Sequence, residues 1–159
     1  MSNFRFPAIA LALVFGLVLA GCGSSEKETP NDCFVNSSSF SSSLRQAPEE
    51  VLLGGNVSIS DCLVRNQSDG DLLRFGEVAV NVATEKGVAI SGAGPDGIKA
   101  AIDGGYLVGA MEKGGENSEG IHATLIERVR NAVVNGLNGA SESAKGHYEA
   151  GYEAGKDVG

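Results

Sequence analysis

From Leu72 to Leu137 the apolar residues return every third or fourth position, the repeat of a helix that buries one face. Leu72, Phe75, Ala79 and Val82 stand at i, i+3, i+7 and i+10. Ile121, Leu125 and Val129, with Ile126 and Val133 beside them, form a second stripe against Glu119, Glu127, Arg128 and Arg130. This periodicity is helical rather than alternating, so a chain so patterned closes its core by packing helix on helix. The 23 glycines and the absence of Trp leave small residues to line that core.

Local signals divide the chain. Pro48-Glu49-Glu50 opens a single turn, and Ser58 followed by Asp61 has the spacing of a capping box, which predicts a short helix carrying Cys62. Ser68 and Asp71 repeat that spacing before a helix that Gly87 is placed to end. The next helix is expected from Pro95 to about Lys113 and another from Ser118 to about Leu137. Residues 140–159, "ASESAKGHYEAGYEAGKDVG", read as a polar, Gly-rich tail that is helical or frayed. About 115 residues from Gln46 onward suffice for one small core and not two. The expected fold is all-α: a small bundle of three to four helices over residues 46–139.

The N-terminus carries a different signal. One positive residue, Arg5, precedes an apolar run from Phe6 to Ala20, which is short for a bilayer-spanning helix and fits the apolar region of a secretory signal. The run closes on Leu19-Ala20-Gly21-Cys22, which resembles the lipobox of bacterial lipoproteins. That resemblance covers residues 1–22 and implies cleavage after residue 21, a diacylglyceryl thioether on Cys22 and anchoring to a bacterial membrane. Gly23 is not the aspartate that in Gram-negative lipoproteins marks retention at the inner membrane. Once Cys22 carries lipid, Cys33 and Cys62 remain as a pair for a disulfide in an oxidising compartment. Residues 22–45, Ser-rich throughout, read as a flexible tether clipped at its far end by Cys33. A coil of roughly 20 residues would hold the domain about 25 Å from its lipid. Asn36, Asn56 and Asn66 fall in N-x-S triplets and read as turn residues in a bacterial chain.

Removal of Arg5 with the signal takes the formal charge from −8 to −9, and an acidic surface repels phosphate backbones, so no nucleic-acid partner is expected. The stretch "VAISGAGPDGIKAA" is similar to the GAGPAG fingerprint of flavoproteins, which would give Gly92, Gly94 and Gly97 to a pyrophosphate. Four features depart from that family. The strand before it would be only Val88-Ala89-Ile90, Asp96 puts a carboxylate where phosphate would lie, no second strand follows, and the chain is too short for the remaining units. Glu112, Glu116 or Glu119 matches the ribose-binding acid by distance alone. The same residues suit a helix start, with Pro95 in the first turn and Asp96 at the positive end of the dipole. No cofactor is expected.

Other constellations are thin. Glu119 and His122 share a helical face, but one His and one carboxylate fall short of a zinc site, and they read as a solvated or capping pair. His147 is the other histidine. Ala101, Gly105 and Gly109 make a small-residue face that suits tight packing inside the bundle, with a docking groove as the rival use. Tyr148 and Tyr152 lie on one face of the tail. The expectation is a lipid-anchored, non-enzymatic envelope protein that binds a protein or envelope component, without a catalytic or metal centre. The rival is a small envelope enzyme or flavin protein built on the Gly92–Gly97 loop.

Overall fold

A computed structural model describes residues 28–159 except 93, 117 and 119. Among the described residues five α-helices carry the fold: α1 (Ser37–Leu44), α2 (Asp69–Ile90), α3 (Pro95–Gly115), α4 (Ala123–Leu137) and α5 (Glu142–Val158). Two 3-10 turns, Asn31–Phe34 and Ser60–Cys62, and a hairpin of two-residue strands, β1 (Leu52–Leu53) and β2 (Val57–Ser58), complete it. The bundle is therefore mostly, not wholly, helical.

The centre is α3. Every residue from Asp103 to Met111 is buried, as befits a helix with almost no charge around its circumference between Lys99 and Glu112. α2 precedes it antiparallel across a short turn, and Phe75, Ala79, Val82 and Ile90 face the core. Ser68 caps α2, its hydroxyl accepting from the Asp71 N–H at 3.1 Å. The helix runs past Gly87 to Ile90 because Gly87 is not a cap: it is where α4 crosses. A Cβ there would overlap the Ala132 carbonyl, and one at Gly136 would overlap the Gly87 carbonyl.

Of the two expectations for residues 140–159, helical or frayed, the helical one holds, and the helix is packed. Ser141 caps α5, accepting from the Ala144 N–H at 3.2 Å, and α5 lies parallel to α3 along its whole length. Gly105 faces the Tyr148 carbonyl, Gly109 that of Tyr152, Gly151 that of Ile102 and Gly155 that of Tyr106, and none of the four leaves room for a Cβ. The small-residue face of Ala101, Gly105 and Gly109 is thus consumed inside the bundle.

The expected tether is also corrected, since its second half is folded. Asn36 accepts from the Ser39 N–H at 2.9 Å and starts α1, whose Phe40 and Leu44 are fully buried. Phe40 stacks on Phe75 with ring centroids 6.3 Å apart. Serines fill the outward positions of a helix held by two apolar residues at i and i+4. Further on, Val51, Leu53 and Ile59 are fully buried, and the Val51 N–H donates to the Tyr106 hydroxyl of α3 at 3.0 Å. The folded domain therefore begins near Thr29 and not at residue 46. The short helix expected at Cys62 is a single 3-10 turn, with the Ser58 hydroxyl donating to Asp61 at 2.8 Å.

Candidate functional site

Between the first turns of α2 and the start of α4 lies a cavity of about 420 Å³. Its walls are Leu72, Leu73, Gly76, Val80, Ile121 and Leu125, while Asp69, Glu77 and Arg128 stand among its polar lining. Leu73 is 73% exposed and Ile121 45% exposed, so two of the most exposed large apolar side chains among the described residues meet at one groove. The local reason is geometric. Phe75, Ala79 and Val82 fix which face of α2 meets the core, and of the adjacent pair Leu72-Leu73 only the first can turn toward it. Gly76 shapes the wall: a Cβ there would come within 3.1 Å of the Leu125 side chain. The sequence periodicity places Ile121 in the apolar stripe of α4. It lies instead before the helix, which starts at Ala123 rather than Ser118.

Next to the groove sits a buried polar clasp. The Gln67 amide nitrogen donates to Thr29 Oγ1 at 2.9 Å and to the Cys62 carbonyl at 3.0 Å. With both amide hydrogens used, its oxygen faces His122 Nε2 at 2.7 Å, so Nε2 carries the proton and donates. His122 is fully buried and its Nδ1 has no hydrogen-bond partner. Burial pushes its pKa below the usual 6.5. The imidazole is neutral and sealed from solvent, and it makes no side-chain cap on α4. Glu119, its expected partner, lies outside the described residues. His147 is on α5, half-buried, with Nδ1 2.7 Å from the Ser143 carbonyl.

The glycine fingerprint is the α2–α3 turn. Gly92 donates to the Ala89 carbonyl at 3.0 Å, Gly94 has φ +107° and occupies the N-cap position of α3, and Pro95 and Asp96 form its first turn. A Cβ on Gly97 would overlap the Gly92 carbonyl. The residues that a dinucleotide site needs as a strand, Val88 to Ile90, are the last turn of α2. Gly92, Gly94 and Gly97 also line a separate cavity of about 350 Å³ with Gly139 and Ser141 from the connection between α4 and α5.

Cys33 and Cys62 form the disulfide, with Cα atoms 5.6 Å apart. Cys22 lies outside the described residues. The two tyrosines of α5 are engaged: the Tyr152 hydroxyl donates to Glu112 Oε2 at 2.7 Å, and the other oxygen of Glu112 takes Arg130. The hydrogen bond to Glu112 lifts the Tyr152 pKa to about 12, and burial lifts that of Tyr148 to about 12. Lys86 and Lys99 flank the buried Asp103 on the opposite side of α3. Among the described residues no group of three or more His, Cys, Asp or Glu side chains gathers to hold a metal ion, and no helix is long and apolar enough to cross a membrane. No known protein family, curated protein or solved structure matches this chain.

Proposed function

We propose that this chain is a lipid-anchored protein of a bacterial cell envelope, whose helical domain is a non-catalytic binding module that presents the α2–α4 groove to apolar matter near the bilayer. The observation that carries the reading is the disposition of the three cysteines. Cys33 and Cys62 are joined to each other, which leaves Cys22, at the end of the apolar run Phe6 to Ala20, as the thiol free for lipid. A structural disulfide suits an oxidising compartment. The glycine and tyrosine faces that sequence suggested as docking surfaces are used up between α3 and α5, so the groove is the better binding surface. A lining in which six of the positions are apolar suits a hydrocarbon partner more than a polar one.

Intact mass of the protein extracted from membranes tests the anchor, first unreduced and then reduced. A chain starting at Cys22 with added lipid, gaining two hydrogens on reduction, is expected. A chain that begins at Met1 and carries no lipid overturns the proposal.

A further inference from the structure

We propose that the α2–α4 groove seats one of the acyl chains carried on Cys22. The inference rests on the lipidation reading above and deepens it.

Thr29 is held by Gln67, and Gln67 is held by His122, through hydrogen bonds of 2.9 and 2.7 Å. Each holder is next in sequence to the groove: Ile121 precedes His122, and Asp69 follows Gln67 by two residues. The chain therefore enters the domain two hydrogen bonds from the groove mouth. Thr29 follows Cys22 by seven positions, and such a segment spans at most about 24 Å. The clasp and the nearby Cys33–Cys62 bond keep this entry point fixed against the fold.

Chemistry agrees with reach. Leu72, Leu73, Gly76, Val80, Ile121 and Leu125 offer hydrocarbon, while Asp69, Glu77 and Arg128 supply charge alongside. At about 30 Å³ for a group the size of water, the cavity of about 420 Å³ holds about fourteen methylenes. That is room for one acyl chain and not for two. A chain tethered within a few nanometres is present at millimolar effective concentration, so the protein's own lipid outcompetes a freely diffusing apolar ligand. Seating one chain also changes the anchor, because attachment through a single remaining chain is weak and reversible whereas two hold stably.

The test uses cells fed an alkyne fatty acid bearing a diazirine, expressing the full chain, its Leu73→Glu/Ile121→Glu variant and a Cys22→Ser control. Both groove substitutions fall on exposed positions, so the fold survives them, and an unchanged melting curve checks this. After irradiation and digestion, label on Cys22 with crosslinks to peptides holding Leu72–Val80 and Ile121–Leu125 is expected. In the variant those crosslinks fall at least about tenfold, since a carboxylate is expelled from hydrocarbon, while labelling of Cys22 stays. Label on Cys22 with crosslinks only to phospholipid or to another protein, alike in both chains, overturns the groove assignment and leaves the anchor standing. No label on Cys22 overturns the lipidation reading and this inference with it.

Discussion

His122 is fully buried, with a proton on Nε2 and no hydrogen-bond partner on Nδ1. Its folded pKa lies below the ordinary value of 6.5 because burial disfavours the cation. Below pH 6.5 the unfolded chain therefore binds a proton that the folded chain refuses, and stability falls with pH at up to about 1.4 kcal/mol per unit. We expect the melting temperature to drop as pH is lowered from 7 toward 5, and His122→Leu to flatten that slope while losing the bond to Gln67. The tyrosines act at the other end of the scale. Tyr152 is held protonated by Glu112 and Tyr148 by burial, each to about 12, so stability present below pH 10 is lost as pH rises through 12. Absorbance titration of Glu112→Gln is expected to show one phenol moved back toward pH 10 relative to the wild type. Neither network was legible in the sequence. Gln67, Glu112 and Arg130 are ordinary surface types, and only packing places Gln67 beside a histidine 55 residues away.

The helices themselves were more legible than the contacts between them. The caps at Ser68 and the start at Pro95 follow from local chemistry, and both appear as expected. Gly87 was misread, and residues 140–159 left open between helix and frayed end, for one reason: a glycine at a helix end and a glycine at a helix crossing look alike in sequence, although one ends a helix and the other brings two together. α5 separates the two uses experimentally. Gly146 has open space where a Cβ would stand, whereas Gly151 abuts the Ile102 carbonyl. Gly→Ala in a helix interior gains about 1 kcal/mol from propensity alone. Gly146→Ala is therefore expected to stabilise the protein by about that amount. Gly151→Ala is expected to destabilise it by roughly 1–3 kcal/mol, as overpacking does, because a backbone carbonyl cannot swing aside. Urea midpoints of the two variants read the difference directly. Equal gains in both would mean that α5 does not pack on α3.

At the scale of the molecule, the segment from Cys33 to Cys62 decides whether the fold is a bundle with a tether or a bundle wrapped by its own N-terminal arm. Composition pointed to the tether, because runs of serine dominate residues 37–43 and only Phe40 interrupts them. Burial points to the arm: Phe40, Leu44, Val51, Leu53 and Ile59 join the same core as α2 and α3. The disulfide closes this arm over a separation of 29 residues, which in the chain-entropy model is worth about 3.5 kcal/mol. Against a total stability of about 5–15 kcal/mol for a domain, that is a large share. The Cys33→Ser/Cys62→Ser variant is expected to unfold about 2 M lower in urea, taking a slope near 1.5–2 kcal/mol per molar. Limited proteolysis distinguishes the two architectures independently of that slope. In a wrapped arm, Ser37–Leu44 resists cleavage while the disulfide is intact and becomes an early cut once it is reduced, because opening the loop frees Phe40 to leave Phe75. In a tether it is cut early in both states, and the core would have to be completed without Phe40.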